Sequence, residues 1–266
     1  MIALVVLLAA APDGGVLSTF PDAKAAFARV LEKRPSVLAV GEYHEIEGGP
    51  KVPSAVKRFT KELLPMLKGR AGALVLETWM TTGKCGEVEK EAVAAVAKTT
   101  KRPETTENEL TTLLDKSYSL GMQNHILLLT CDEYKSMLGA DGELDGEKSL
   151  TLVRRKIEEK TDEAIEKGEG GTPAKAIVLY GGAIHNDLMP AEGFEGVTFG
   201  PSMQRATDGG YVELDLLVPE YVENDDDLKK EPWFAEAMKL STQGKTVLVS
   251  PGPATRFLIF ARTKKR

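Results

Sequence analysis

Histidine and cysteine are scarce in this chain. Its 266 residues include only three His and two Cys, and aromatic residues make up 6% of the sequence. Two cysteines exclude a thiolate-rich zinc site and a disulfide-dense scaffold, and a chain of this length can bury a core large enough to fold without either. Because there are only three His, the position of each one is informative.

Excess charge of one sign is also lacking. The 34 basic and 40 acidic residues give a net charge of −6, and the clearest basic cluster is the short tail 264–266. This balance argues against nucleic acid or an anionic membrane as the main partner. The composition excludes collagen, coiled coil and general disorder, and it leaves a globular protein.

A ten-residue apolar run occupies residues 2–11. Ten residues are too few to cross a bilayer of about 30 Å as a helix, so the run does not predict an integral membrane span. The run has the length of a signal-peptide core, and Ala9, Ala10 and Ala11 are small enough for a signal peptidase, although no Lys or Arg precedes it. We expect residues 1–15 to be a signal peptide and the protein to be exported, to the periplasm or outside the cell. The alternative is a cytoplasmic protein with a buried N-terminal strand or helix.

The oxidation state of the two cysteines depends on the compartment of the protein. In an exported protein Cys85 and Cys131 can oxidise together, whereas in the cytoplasm they would stay reduced. Two thiols do not decide between these alternatives.

Apolar runs alternate with helical patterns through the first 190 residues. The runs do not alternate apolar with polar residues, which is typical of strands buried on both faces of a parallel sheet. They lie at 36–40, 71–76, 126–131 and 176–180. Apolar residues at helical spacing fall between them, at 53–68, 87–98, 108–120 and 150–167. The alternation predicts an α/β fold with a mostly parallel central sheet flanked by helices.

The pattern changes after about residue 190, where short strand candidates follow one another closely. They lie at 197–199, 211–218, 246–249 and 257–261. The run at 211–218 alternates in part, as antiparallel or edge strands do. We therefore expect additional, partly antiparallel strands in the C-terminal third, and one α/β domain over residues 16–266. The segments 139–148 and 223–227 are predicted to be solvated loops.

Each of the first four strands is followed by a potential metal ligand or proton carrier. These residues are His44, Glu77, Asp132 and His185. Parallel strands present their carboxyl ends at the same edge of a sheet, and ligands bind at that edge. The sequence therefore predicts that the four side chains converge in a cleft.

Two of the three His also stand in matching motifs, Gly-x-x-His at Gly41 to His44 and at Gly182 to His185. A glycine at a strand exit lets the backbone turn sharply or approach another segment closely. His125 precedes its strand, so we expect it on the opposite side of the sheet in a structural role.

Each of these residues has a structural alternative. A single His near a strand end is often only hydrogen-bonded, and Asp132 has the character of a helix cap. Glu42 is able to bind a metal, act as a base or orient His44. Glu77 follows an apolar run, and a buried carboxylate needs a partner, an exposed position or a cation.

The segments 37–44 and 73–77 resemble the opening of ChaN-like proteins, with a strand, Gly-Glu-x-His, a helix, and a second strand ending in Glu. The pair of Gly-x-x-His motifs with an intervening Glu is similar to the wider superfamily that contains the Tiki and TraB proteins and the erythromycin esterases. The resemblance is strongest over residues 36–80 and 174–188. This chain departs from the esterases, in which two residues separate the Glu and His of the first motif, because only Tyr43 separates Glu42 from His44 here.

The resemblance implies different functions for different branches. Tiki-like members are described as metal-dependent proteases that use both motifs and the Glu, which here fall on His44, His185 and Glu77. ChaN-like members are described as haem-binding proteins of iron uptake, and the esterases hydrolyse a lactone through His and Glu.

Two His and a Glu suit Zn²⁺, Mn²⁺, Co²⁺ or Fe²⁺ and leave a coordination position open for water. We therefore predict a metal-dependent hydrolase that cleaves a peptide or ester bond in a peptide or small-molecule substrate. Its ligands would be His44, Glu77 and His185, with Asp132 as an additional candidate and Glu42 as a base or as the partner of His44. Asn186 or Asp187 would polarise the substrate.

The alternative is a haem or metal carrier without catalysis. Tyr43 would then matter, because tyrosinate can ligate ferric haem. An apolar crevice would also be needed, although core packing explains most of its candidate residues equally well. Those candidates are Met66, Trp79, Met80, Met122 and Met189. A serine hydrolase is disfavoured because the sequence has no Gly-x-Ser-x-Gly motif.

Overall fold

The strands with continuous apolar sequences form the centre of a nine-stranded sheet. All residues of Val37–Glu42 and Tyr211–Leu217 are buried, because helices cover both faces of the sheet at this point. The computed structural model describes residues 9, 10 and 15–263, so most of the predicted signal peptide lies outside the described residues. The strands are β1 Ala9–Ala10, β2 Val16–Phe20, β3 Val37–Glu42, β4 Ala71–Thr81, β5 Gln123–Leu129, β6 Ala176–Gly182, β7 Tyr211–Leu217, β8 Thr246–Ser250 and β9 Thr255–Ile259.

The helices lie mostly between consecutive parallel strands. They are α1 Ala23–Leu31, α2 Ala55–Arg58, α3 Glu87–Thr100, α4 Thr105–Ser119, α5 Cys131–Ser136, α6 Gly146–Glu166, α7 Ala183–Asn186, α8 Gly200–Ala206, α9 Pro219–Val222 and α10 Phe234–Thr242. Among the described helices, none combines the length and the apolar character needed to cross a membrane.

The sheet is mixed, and its larger part is parallel. The strand order is β1-β2-β8-β9-β7-β3-β6-β4-β5. The six strands from β9 to β5 run parallel to one another, whereas β8 is antiparallel to both β9 and β2, and β1 is antiparallel to β2. The predicted fold class, a mostly parallel sheet with partly antiparallel strands from the C-terminal third, is confirmed.

Successive residues of the central strands face opposite layers of helices. In β3, Leu38 and Val40 pack into the cluster that contains Phe27 of α1 and Leu113 of α4. Val37 and Ala39 pack into the cluster that contains Ile157 of α6. The outer strands continue the second layer, where Val247 of β8 packs with Phe234 of α10. This two-layer burial fixes the register of the strands, because a shift by one residue would exchange the faces.

Two predicted elements are wrong. Residues 197–199 are buried but do not form a strand. Their hydrogen bonds go to the segment around α7, since Phe199 N–H donates to the His185 carbonyl and the Thr198 hydroxyl lies near the carbonyls of His185 and Asp187. The predicted helix 53–68 begins as α2 but continues as a π-helical turn, Phe59–Leu63, and a 3₁₀ turn, Leu64–Leu67. Pro65 contributes to this break because it lacks the N–H that an α-helix requires.

Several elements had no predicted counterpart, among them β2, α1 and α10. The start of α1 is locally encoded, since the Asp22 carboxylate accepts a hydrogen bond from Ala25 N–H at 2.9 Å. β5 begins earlier than predicted, and His125 is therefore its third residue and not a residue in front of it.

A disulfide joins Cys85 and Cys131. Cys85 lies in the connection from β4 to α3, and Cys131 is the first residue of α5, directly after β5. The bond closes a sequence separation of 46 residues beside a small cluster that includes Tyr134 and Leu152. It restrains the connections that leave two neighbouring strands.

We expect reduction of this disulfide to lower the free energy of unfolding by about 2–4 kcal/mol, because the unfolded chain regains the entropy of a long closed loop. Urea unfolding with and without dithiothreitol measures the difference. The double variant Cys85→Ser/Cys131→Ser is the control and should not respond to the reductant. Equal stability of the oxidised and fully reduced wild-type protein would contradict the prediction.

Candidate functional site

Glycines bring the two Gly-x-x-His motifs into contact. β3 and β6 pair in parallel, with Gly41 opposite Gly181 and Glu42 opposite Gly182. A Cβ on Gly41 would lie 2.7 Å from the Cα of Ala183 in the second motif, and a Cβ on Gly182 would lie 3.1 Å from Nε2 of His44 in the first. Gly41, Gly181 and Gly182 all have negative φ. Close approach, and not a sharp turn, is what these glycines allow.

Glu77 is turned towards β6 by a bulge in β4. Leu76 and Trp79 pair with consecutive residues of β5, so Glu77 and Thr78 are extra residues on β4. Bulges of this kind redirect a side chain and are common beside functional sites. Glu77 Oε2 accepts a hydrogen bond of 2.6 Å from Gly182 N–H, which holds the carboxylate over the end of β6.

His44 is oriented by Glu42. The Glu42 carboxylate is 4% exposed, and its Oε1 lies 2.9 Å from Nδ1 of His44. Glu42 also accepts a hydrogen bond of 2.7 Å from the Tyr180 hydroxyl and pairs with Arg102. Burial by itself would raise the pKa of Glu42, but the hydrogen bond from His44 and the charge of Arg102 hold it below its usual value. An ionised carboxylate can only accept, so Nδ1 of His44 carries the proton and Nε2 presents a lone pair.

His185 is oriented in the same way by a backbone carbonyl. Its Nδ1 lies 2.8 Å from the carbonyl oxygen of Val197. A carbonyl oxygen can only accept, so Nδ1 again carries the proton and Nε2 is free to act as an acceptor or ligand. The irregular segment 197–199 therefore has a role at the site, since it fixes the ring of a buried histidine.

Both free Nε2 atoms lie near the Glu77 carboxylate. His185 Nε2 is 3.9 Å from Glu77 Oε1, which is too long for a hydrogen bond. His44 Nε2 lies 3.1 Å, and Glu77 Oε2 lies 3.7 Å, from the position that a Cβ on Gly182 would occupy. The distance between these two atoms is therefore at most 6.8 Å. The pair of acceptors at His185 Nε2 and the Glu77 carboxylate is stabilised by a proton or a cation between them. The arrangement suits a shared cation.

The side-chain positions do not yet form a closed coordination shell. Within residues 15–263, no group of three His, Cys, Asp or Glu side chains is close enough together to hold a metal ion as it stands. Asp132 is exposed in the first turn of α5 and makes no hydrogen bond or ion pair with His44, Glu77 or His185. Thr130, and not Asp132, caps that helix.

A group of buried carboxyls lies behind α7. Asp215 accepts a hydrogen bond of 3.0 Å from Nδ2 of Asn186, and Glu213 accepts one of 2.9 Å from Leu188 N–H. Burial raises the pKa of Asp215 and of Glu213, and the neighbouring Asp215 raises that of Glu213 further. Because Nδ2 of Asn186 is bonded to Asp215 and the side chain is buried, Asn186 supports the site and is not free to polarise a substrate.

Asp187 and Tyr43 lie closer to solvent beside this group. Burial raises the pKa of Asp187, whose carboxylate accepts a hydrogen bond from Met189 N–H. Burial and the nearby Asp215 also raise the pKa of the Tyr43 phenol. The Tyr43 side chain packs against the apolar cluster that contains Trp233 and Val247.

Only some of the side chains that were predicted to line an apolar crevice lie at the carboxyl edge of the sheet. Met122 is fully buried in the core, and Met66 and Trp79 pack against core clusters. Five exposed large apolar side chains nevertheless lie near the carboxyl end of β4 or on the segments that follow β3 and β6. They are Ile46, Met80, Ile184, Met189 and Phe194.

Sequence reasoning missed Arg102, Tyr180 and the carbonyl of Val197. Arg102 belongs to an irregular connection between α3 and α4, and no periodic pattern links it to Glu42, 60 residues away. Tyr180 was visible only as an apolar strand residue. The one available signal was Glu42 itself, because a buried carboxylate requires a cationic or hydrogen-bonding partner.

Comparisons with models of known protein families, with curated proteins and with solved structures found no match to this chain. The resemblance to ChaN-like, Tiki and TraB proteins therefore stays a prediction.

The two site histidines should share one tautomer, and His125 should have the other. Because Nδ1 of His44 and of His185 donates to an oxygen, both rings are expected in the Nδ1–H form in alkaline solution, where imidazole is normally neutral. Nε2 of His125 pairs with Glu169, so its ring is expected in the Nε2–H form. Long-range ¹H–¹⁵N spectra resolve all three rings. An Nε2–H form at His44 or His185 would contradict the geometry.

Gly182→Ala should displace the His44 ring without unfolding the protein. The new Cβ would lie 3.1 Å from Nε2, which is closer than almost all real contacts of this kind, so the ring must shift. We expect the His44 resonances to move and those of His125 to stay. Gly83→Ala is the matched control, because a Cβ there meets nothing within 4 Å. Unchanged His44 signals in the Gly182 variant would show that the contact does not exist.

Proposed function

We propose that the protein is a metal-dependent hydrolase in which His44, Glu77 and His185 hold a divalent transition-metal ion at the carboxyl edge of the parallel sheet. One observation carries the proposal. Each imidazole uses Nδ1 for a hydrogen bond to the protein, which leaves Nε2 free: that of His185 lies 3.9 Å from Glu77 Oε1, and that of His44 lies at most 6.8 Å from Glu77 Oε2. Metal-binding histidines are held in this way, with the second ring nitrogen donating to a carboxylate or a backbone carbonyl.

The distances and the donor types support this choice of ligands. Two donors that each bind one ion at about 2.0–2.2 Å lie about 3–4 Å apart, and the separation of 3.9 Å between His185 and Glu77 falls in that range. Imidazole nitrogen with carboxylate oxygen suits Zn²⁺, Mn²⁺, Co²⁺ or Fe²⁺. Three protein ligands leave a position open for water. Asp132 is not needed for this set.

The other residues prepare the site for hydrolysis of a peptide or ester bond. A bound ion would supply a Lewis acid that lowers the pKa of water to about 7. Arg102 keeps Glu42 ionised, and Glu42 fixes the proton of His44 on Nδ1. Glu42 thus acts as the partner that orients His44. The exposed apolar side chains Ile46, Ile184 and Met189 favour a substrate with apolar groups beside the scissile bond.

Export of the protein is part of the proposal. The apolar run 2–11 and the Cys85–Cys131 disulfide both support an oxidising compartment outside the cytoplasm. The competing function, haem or iron carriage without catalysis, has weaker support because Tyr43 packs against an apolar core cluster, and Met122 is fully buried and unable to line an open crevice.

Metal content and hydrolysis test the proposal together. We expect chelator-treated protein to bind one equivalent of Zn²⁺, Mn²⁺ or Co²⁺ in calorimetric titration and to regain hydrolysis of ester or peptide reporter substrates on loading. His185→Ala should lower metal affinity by roughly 100-fold or more, since even loss of a supporting partner of a ligand costs about 10–100-fold. Circular dichroism and urea unfolding check that the variant remains folded.

His125→Ala is the matched control. His125 belongs to β5, pairs with Glu169 and takes no part in the site. It should keep full metal affinity. Loss of metal in His125→Ala but not in His185→Ala would refute the assignment. Stoichiometric haem binding with a shifted Soret band and no hydrolysis would favour the carrier instead.

A further inference from the structure

Two acidic side chains are buried on the same face of β7. Glu213 is 2% exposed and Asp215 is 4% exposed, and as alternate residues of one strand they face the same layer of helices. In the part of the chain that the structure describes, neither carboxyl is paired with a Lys, an Arg or a His. Burial of an ionised carboxylate without a cation is costly, so this environment favours a protonated carboxyl.

The titratable groups around the pair are acidic or neutral. They are Asp187 after α7, Tyr43 after β3 and Tyr211 on β7, and Asp225 adds a negative charge beside Tyr43. None of them can neutralise a carboxylate.

The basic side chains of the neighbouring elements are engaged elsewhere or exposed. Arg256 of β9 donates to three backbone carbonyls of its own segment, and Lys239 of α10 pairs with Glu236. Arg205 of α8 is exposed. The ring of His185 in α7 uses Nδ1 at the Val197 carbonyl, and its Nε2 lies near Glu77.

The amide of Asn186 supports a proton on Asp215. Nδ2 of Asn186 lies 3.0 Å from Asp215 Oδ1 and 3.4 Å from the Ala39 carbonyl, and these two acceptors fix the orientation of the amide. Oδ1 of Asn186 is buried and has no hydrogen-bond partner among the described residues. A carboxylic acid that faces a primary amide accepts from its N–H and donates to its oxygen, whereas a carboxylate can only accept. A proton on Asp215 would therefore supply the donor that Oδ1 lacks.

The same two carboxyls hold the segment that follows His185. Asp215 is bonded to Asn186, the last residue of α7, and Glu213 accepts hydrogen bonds from Leu188 N–H at 2.9 Å and from the Thr255 hydroxyl at 3.0 Å. Permanently ionised carboxyls would form these bonds too, but they would leave Asn186 Oδ1 without a donor and place two uncompensated charges on one face of one strand.

We propose that Glu213 and Asp215 form a pH-sensitive latch, which holds α7 against β7 while the pair carries a proton and releases it when both carboxyls are ionised. Release would follow from repulsion between the two buried charges and from loss of the proton that Asp215 gives to Asn186. Because α7 carries His185, the latch would regulate the proposed metal site. Only this last consequence rests on the proposed function.

The direction of the pH effect follows from the raised pKa of both carboxyls. A carboxyl whose pKa is higher in the folded than in the unfolded protein stabilises the fold fully below the unfolded value, which is about 4. That contribution is lost as the pH rises through the folded value. We therefore expect the latch to be closed in acid and to open towards alkaline pH.

Carboxyl ¹³C NMR and thermal unfolding of the metal-free protein test the latch. We expect at least one of the two carboxyls to keep its proton above pH 6, where ordinary Asp and Glu are ionised. Between pH 6 and pH 9 the Tm should fall by about 5 °C or more, because each unit of raised pKa alters the stability enough to shift Tm by a few degrees. The Leu188 amide and Asn186 side-chain amide signals should move over the same range.

Glu213→Gln/Asp215→Asn keeps the shape and the hydrogen bonds of the protonated pair but has no proton to lose. Its Tm and its amide signals should stay nearly constant from pH 6 to pH 9. Glu107→Gln/Asp115→Asn is the matched control, because it removes two exposed carboxyls of α4 and should lose Tm as the wild-type protein does. If the double variant at β7 does not fold, Asp215→Asn alone and the wild-type carboxyl titration decide.

Three results would overturn the latch. In the first, both carboxyls of the folded wild-type protein ionise below pH 5. In the second, Glu213→Gln/Asp215→Asn loses as much Tm as the wild-type protein. In the third, added Na⁺ or Ca²⁺ abolishes the loss, which would show that a cation and not a proton neutralises the pair. Because every measurement uses metal-free protein, failure of the metal site would leave the expected results unchanged.

Discussion

The contact between β3 and β6 at their carboxyl ends is the constraint on which the candidate site depends. Because Gly41 faces Gly181 and Glu42 faces Gly182, no side chain separates the end of β3 from α7 or the Glu77 carboxylate from the end of β6. The space is filled by groups from elsewhere: the imidazole of His44, the carboxylate of Glu77 and the backbone of Ala183. Close packing of glycine backbone thus brings together residues that are 141 positions apart in the chain, without any direct pairing between them.

Much of the fold follows from the sequence, because burial on both faces leaves a continuous apolar run that is easily recognised. β3, β4, β5 and β6 were predicted for this reason. The partial alternation of residues 211–218 indicated an antiparallel or edge strand, and this was wrong: β7 is a buried central strand parallel to β3 and β9, and its polar residues Glu213 and Asp215 are buried as well. The apolar segment 197–199 shows the limit of the method, since an apolar pattern reports burial but not the direction of the backbone hydrogen bonds. At 197–199 those bonds go to α7, and the segment holds His185 in place.

The site could be predicted only as far as topology determines it. His44, Glu77 and His185 each follow a parallel strand, and such positions converge at one edge whatever the details of packing. Asp132 follows the same rule but is exposed, because the carboxyl end of β5 is occupied by a helix cap and a disulfide. Arg102 obeys no such rule. Its pairing with Glu42 depends on the path of an irregular connection, which a single sequence does not reveal.

The position of β2 has a consequence for when the protein can fold. Apart from the two residues of β1, β2 pairs only with β8, whose residues Thr246–Ser250 are made some 230 positions later. A ribosome that adds about 5–20 residues per second therefore leaves Val16–Phe20 without its main neighbour for more than ten seconds, until nearly the whole chain has been synthesised. The sheet cannot be completed from its N-terminal side during translation. The edge of the sheet that contains β2 is therefore the part that forms last during synthesis.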